Sequence, residues 1–266
     1  MSHIRNIIEN TTDMVLLGTH DGIFYPDELF AIVMIKSACQ ALDKEIRIIR
    51  TRENKTLSAC DIRVDVGRKY DPAAGDFDHH HDKNLQSSFG LVYNDMMLMC
   101  PLNDLSNPFF AEFVRGIDIM DTNPTSIQFP DAPVRNLNQI IAGFNDLENQ
   151  EAAFARALAV AADILKNEFR SAEEKGKAEV EYIDREILEN NVAVFEKYSP
   201  IWKDKGDHDF AIMPYSLGWQ IMARDARVVA VPEAVANVEG FIFRHYIGFM
   251  AAFATKRAAM DAAKMI

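Results

Sequence analysis

The sequence predicts an α/β fold: a doubly wound, mainly parallel sheet in an N-terminal domain, followed by a smaller α+β C-terminal domain. Three observations predict it. Short apolar runs recur at Met14-Val15-Leu16-Leu17, at Glu45–Arg50 (Ile46, Ile48, Ile49) and at Ile62–Val66, and polar loops follow them. Apolar-rich segments of helical length, such as Leu29 to Leu42, alternate with these runs. Such alternation requires parallel strands joined by helical crossovers. Beyond about residue 200 short strand candidates and an Ala-rich tail replace this pattern.

Taken in order, residues 1–13 are polar and read as a lead-in. Met14–Leu17 reads as a buried strand that opens into the loop His20-Asp21-Gly22-Ile23-Phe24-Tyr25-Pro26-Asp27-Glu28. Pro26 or Asp27 belongs in the first turn of the helix that follows. Glu45–Arg50 is the second strand. Ile62–Gly67 is the third, with Asp65 near its end. Leu91–Met99 is Met-rich and reads as a buried helix whose methionines fill core. Pro101–Pro108 is a loop. Phe109–Met120 has helical period and places Asp118 and Asp121 on one face, at i and i+3. Residues 122–136 are turn-rich, with Pro124, Pro130 and Pro133.

Glu148 to about Tyr198 is rich in Ala, Glu and Lys and reads as one long helix, or two broken near Gly176. The predicted division is therefore a domain at 1–147, a helical connection at 148–199 and a small α+β domain at 200–266. In the last, Phe210–Met213, Val228–Val231 and Gly240–Arg244 are strand candidates, and the tail from Ala251 is helical.

The 266 residues are 48% hydrophobic and 26% charged, which permits a sizeable core. A net charge of −12 argues against general duplex binding, which needs clustered Lys and Arg. It leaves room for a small anionic substrate at a pocket whose sign a divalent cation inverts. Cys39, Cys60 and Cys100 are scattered and without a CxxC, so a disulfide framework is not expected and a reducing compartment fits. No signal peptide and no membrane-length apolar run is visible, which makes a cytoplasmic protein the expectation.

The chemistry centres on Asp78-His79-His80-His81-Asp82. Imidazole and carboxylate are ligands for Mn²⁺, Fe²⁺, Co²⁺ and Zn²⁺. The bland reading is a solvated polar turn. His20, Asp27, Asp65, Asp78, His79, His80, Asp118 and Asp121 all fall at ends of predicted elements, where a parallel sheet gathers its loops. A lone Asp after a strand is usually a turn residue. Together they put more carboxylate in one crevice than can ionise without cations, and a carboxylate bridging two metal ions suits phosphate-ester hydrolysis.

Gly18-Thr19-His20…Asp27-Glu28, Val64-Asp65-Val66-Gly67, Tyr70-Asp71-Pro72…Asp78-His79-His80, Ser87-Ser88…Gly90-Leu91-Val92-Tyr93 and Ile117-Asp118…Asp121 resemble successive motifs of the DHH phosphoesterase superfamily. Within it they resemble the family once labelled metal-dependent protein hydrolase, or melanocyte-proliferating-gene exonuclease. Looser similarity continues through Ala230–Glu233 and Phe243–Phe249. The resemblance implies manganese, one or two ions. It implies His20 on the first ion, Asp27 and His79 on the second, Asp65 bridging, and one of Asp118 and Asp121 completing the second site. It implies that Asp78 orients a neighbouring imidazole, that His80 faces the phosphate or leaving group, and that His245, with Lys256 or Arg257, contacts phosphate from the C-terminal domain. Two departures stand out. Tyr25 occupies the place of a family histidine, which predicts a weakened first site. Ala251-Ala252-Phe253-Ala254 replaces a Gly-rich loop.

The reading is a metal-dependent phosphoesterase that cleaves a phosphodiester of a short oligonucleotide or nucleotide, with a small phosphorylated substrate or short RNA or DNA as partner, no stable duplex binding and no membrane. A homo-oligomer is open. Alternatives are a pyrophosphatase-like hydrolase, and a degenerate member that binds a nucleotide or a partner without turnover.

Overall fold

The computed structural model describes residues 2–98, 105–123 and 135–266. It divides into two compact units, Met1–Ala172 and Glu173–Ile266. The architecture is mixed α/β with a parallel-containing sheet in each unit.

The first unit runs α1 (His3–Asn10), β1 (Met14–Thr19), α2 (Pro26–Ala41), β2 (Glu45–Arg50), α3 (Asn54–Leu57), β3 (Ile62–Val64), β4 (Tyr70–Asp71), β5 (Asp76–Phe77), α4 (Ser88–Met97), α5 (Pro108–Thr122), α6 (Leu137–Ala142) and the start of α7 (Gln150–Ile183). Among the described residues its strands lie in the order β2-β1-β3-β5-β4. β1 pairs in parallel with β2 and with β3, and β3 with β5; β4 is an antiparallel edge. Val15, Leu17, Ile62, Val64 and Phe77 are fully buried, the alternate positions of strands covered by helices. α2 is buried almost all round from Pro26 to Ile35, which explains why its sequence lacks a polar face.

Gly75 governs how the histidine stretch is delivered. It follows a 3₁₀ turn at Pro72–Ala74 with φ +79°, and a Cβ there would stand 2.2 Å from the Asp61 carbonyl oxygen. Only glycine lets the chain reverse so tightly and return as β5 beside β3.

The polar lead-in is in fact a helix. Ile4 and Ile8 of α1 pack fully buried, one turn apart. Its first amides are satisfied from outside: the buried Asp95 of α4 accepts from His3 N, Ile4 N and the Ser2 hydroxyl. Ser2 adds a local cap, its hydroxyl accepting from Arg5 N at 3.1 Å, whereas the contribution of the distant Asp95 leaves no local signal.

α7 is continuous through Gly176, and the division between the units falls within it. Its early residues Ala153, Phe154, Ala157, Leu158, Ala161 and Leu165 enter the first core at helical spacing.

The second unit adds β6 (Glu186–Ile187), β7 (Ala193–Val194), α8 (Trp202–Lys205), β8 (Phe210–Tyr215), β9 (Gly218–Ala223), β10 (Phe241–Arg244), β11 (Met250–Phe253) and α9 (Lys256–Ala263). The sheet order is β10-β11-β9-β8-β7-β6, antiparallel apart from β7 with β8. Ile212, Ile221, Phe253, Ala259 and Ala263 lie in its core. Two expectations are corrected. Val228–Val231 is not a strand: Val228 and Val229 both donate to Asp225 O in an exposed turn, and only Val231 of the valines is buried. The tail opens as β11 and becomes helical only after Thr255, whose hydroxyl caps α9.

Cys39 and Cys60 are free and buried. Cys100, the start of the loop predicted at 101–108, and Pro124, Pro130 and Pro133 lie outside the described residues. No helix among the described residues is long and apolar enough to cross a membrane.

Candidate metal centre

The carboxyl ends of parallel strands converge on one cleft of about 990 Å³, lined by His20, Asp65, Asp78, His80 and Asp121 among others. β1 is the strand at which the order reverses, with β2 on one side and β3 on the other, the position where open α/β sheets hold ligands. His20 immediately follows β1, Asp65 follows β3, and Asp78-His79-His80 follow β5. The first turn of α2 adds Asp27 and Glu28, and the last turn of α5 adds Asp121.

Asp65 is central. Its φ of +56° is left-handed, an uncommon conformation for a residue with a Cβ. Its Oδ2 lies 3.3 Å from His20 Nε2, while its Oδ1 lies 3.5 Å from His79 Nε2 and 3.4 Å from His80 Nδ1. The Ser88 hydroxyl donates to Oδ1 at 3.0 Å and fixes the carboxylate plane. His20 Nε2 is also 3.2 Å from Glu28 Oε1. On the other side, His79 Nε2 is 3.3 Å from Asp121 Oδ2, yet neither atom makes a hydrogen bond among the described residues. Asp27, only 1% exposed, has no partner for either carboxylate oxygen among the described residues.

Among the described residues, three groups of donor atoms could therefore hold a metal ion: His20, Glu28 and Asp65; Asp27, His79 and Asp121; and Asp65, His79 and His80. The spacing fits. Two atoms each about 2.1 Å from one ion stand about 3.0–3.4 Å apart at octahedral or tetrahedral angles. An unpartnered buried carboxylate is costly, and a cation satisfies it. The donor set of oxygens and imidazole nitrogens suits a divalent first-row ion.

The electrostatics show the same crowding. Burial, then the charges of Asp65, Asp121 and Glu28, push the Asp27 carboxyl well above the usual range. Burial raises Asp121 to about 6 despite the nearby His79. Burial opposes ionisation of Asp65 too, but His20 and His79 beside it hold its carboxyl far below the usual range. Burial disfavours a charged His20, but Asp65 and Glu28 outweigh it and raise the imidazole to about 10. Such a site holds negative charge in excess of what its own imidazoles neutralise.

Asp78 organises the loop. Its Oδ1 accepts from His80 Nδ1 at 2.8 Å and from His80 N at 2.9 Å, and its Oδ2 accepts from Arg68 N at 2.7 Å. The bond from Asp78, against burial, raises the His80 imidazole. Burial resists the ionised Asp78, but its bonds from His80 and Arg68 keep that carboxyl low.

Of the pair left open by the sequence, Asp121 faces His79, whereas Asp118 Oδ1 accepts from Ser87 N at the start of α4. His245, Lys256 and Arg257 lie in the second unit. The His245 ring is near Tyr246 and Phe249 in the turn after β10. The Lys256 ammonium is held by Glu196 and Glu186 and sits over Trp219. The Arg257 side chain is 93% exposed.

Glu28 and Ser88 were missed from sequence. Glu28, at the third helical position of α2, reads as a capping residue. It is one, since Oε1 accepts from Tyr25 N at 3.1 Å and Oε2 from Thr19 Oγ1 at 2.8 Å. Its fully buried carboxylate also faces His20. Asp27-Glu28, adjacent acids opening an apolar helix, was the available signal. Tyr25 is 43% exposed on the wall of the cleft, outside all three donor groups.

Curated relatives resemble this chain over part of its length. The MYG1 exonuclease of Bos taurus is 29% identical over 190 residues, 58% of this chain and 48% of its own. The MYG1 protein of Chlamydia muridarum is 32% identical over 155 residues, 56% of this chain and 52% of its own. The chain spans about half the length of these relatives. A crystal structure of an exopolyphosphatase-related protein from Bacteroides fragilis covers 99% of this chain and 94% of its own, at 13% identity and a TM-score of 0.30. The profile of the MYG1 exonuclease family matches residues 16–202, the span that contains every donor group described above, and the chain belongs to that family, described as Uncharacterised protein family (UPF0160).

Proposed function

We propose that the protein is a divalent-metal-dependent phosphoesterase of DHH type, that manganese is its ion, and that it cleaves a phosphodiester of a short oligonucleotide or nucleotide. The observation that carries this reading is Asp65, whose two oxygens face two separate donor groups across the cleft. The exonuclease name of its relatives supports a nucleic-acid or nucleotide substrate.

In this reading His20, Glu28 and Asp65 hold one ion, and Asp27, Asp65, His79 and Asp121 hold the other. When bound, the ions lower the pKa of water and clamp phosphoryl oxygens. The chain supplies the rest. Asp78 fixes the His80 ring through Nδ1 and favours its protonated form. The half-exposed ring then presents its Nε2 proton to the leaving oxygen. Ser88 keeps Asp65 from rotating. Glu28 supplies the charge that Tyr25 cannot.

Elemental analysis of protein dialysed against Mn²⁺, beside a mononucleotide-release assay, tests the proposal. Wild type is expected to carry two ions per chain and to release product. E28Q, which keeps the cap but loses the charge, should carry about one. D65N should lose metal and activity together. Metal-free wild type, or activity that survives in D65N, would refute the reading.

A further inference from the structure

Two basic side chains line the cleft, Arg52 and Arg68. Arg52 is neutralised by Asp21, whose carboxylate lies 3.0 Å from its Nε. Arg68 differs. Its guanidinium has no hydrogen-bond or ion-pair partner among the described residues, although the chain carries 40 acidic residues against 28 Lys and Arg. Its backbone is left-handed, φ +54°, next to Gly67 at φ +100°. A long side chain is disfavoured in that conformation, and glycine or asparagine is the usual occupant.

The strained backbone is fixed from the catalytic side. Asp78 is 1% exposed, and its two oxygens divide their work: Oδ2 holds Arg68 N and Oδ1 holds His80. Arg68 and His80 are thus mounted on one buried carboxylate at one wall of the cleft. Strained residues held by over-determined contacts beside reactive groups are the pattern of a site under functional constraint. A guanidinium with its donors free offers the planar fork that matches a phosphate.

Building on the hydrolase reading above, we infer that Arg68 is the phosphate-binding, specificity-determining residue of this cleft, taking the non-reacting oxygens of a phosphate ester whose leaving group faces His80.

The test is calorimetric titration of inorganic phosphate into manganese-dialysed wild type, R68G and R68K, with acetate as control anion and thermal midpoint and metal content measured on the same samples. R68G relieves the backbone, so its midpoint should match or exceed that of wild type and its metal content should not change. Its phosphate affinity should nevertheless fall at least about tenfold, with R68K between the two. Stability and binding then move independently, which loss of structure cannot produce. Equal phosphate affinity in wild type and R68G overturns the inference, and so does a wild type that binds no phosphate, or binds acetate equally well. Wild type that takes up no metal refutes the hydrolase reading instead; the same titrations in chelator then read Arg68 by itself.

Discussion

His20 illustrates how one residue couples metal, protons and stability. It lies 6% exposed between Glu28 and Asp65, and in the metal-free chain those carboxylates raise it from 6.5 to about 10. At pH 7 the ring is therefore protonated, whereas a metal ion requires it neutral. Metal entering beside His20 should displace a proton, with apparent affinity there rising close to tenfold per pH unit between about 7 and 9. Calorimetry in two buffers of different ionisation enthalpy checks this, and equal heats in both would disprove it. Stability follows the same shift with the opposite sign. A raised pKa contributes stability that is fully present below 6.5 and lost as pH rises through about 10. The chelated protein should accordingly weaken between those limits, and H20N should flatten the profile.

The loop that carries His20 and Tyr25 is held at the level of elements. Arg50, the last residue of β2, donates to Gly22 O at 2.6 Å, pairs with Glu151 in the first turn of α7, and lies over the Phe154 ring at 4.3 Å. Asn145 brackets Phe24 through its N and its O. Phe24 packs edge-on against Phe154 at 5.6 Å. β2, the connection before α7, and α7 itself thus brace one loop from behind. R50A removes a buried fork of three contacts without touching a donor atom of the centre. It should weaken metal binding about tenfold, the scale on which outer supports act, and competition with a fluorescent chelator reads it. Unchanged metal affinity would mean that Asn145 and Phe24 suffice.

For the whole molecule, every residue of the three donor groups belongs to the first unit. Metal should therefore stabilise that unit, by about 2.7 kcal/mol when the free ion stands at 100 times its Kd. Hydrogen exchange with and without Mn²⁺ should show added protection in β1, β3 and α2 and none in the sheet β6–β11. Protection spread evenly over both sheets would contradict this assignment.

The sequence by itself determined the parallel strands β1, β2 and β3, the buried α2, and the positions of His20, Asp27, Asp65, Asp78, His79 and His80 at strand and helix ends. These are local properties: apolar period, turn residues and ligand-type side chains act within a few positions of one another. Tertiary structure decided what depends on distant partners. It tied α1, which Ser2 caps locally, to Asp95 of α4. It turned Asp121 rather than Asp118 towards His79. It gave the capping residue Glu28 a second task beside His20, and it left the Arg68 guanidinium without a partner among the described residues at the cleft. A carboxylate at a helix end reads the same in sequence whether its neighbour across space is an amide or an imidazole. Only the folded sheet, by bringing the ends of β1, β3 and β5 together, distinguishes a cap from a ligand.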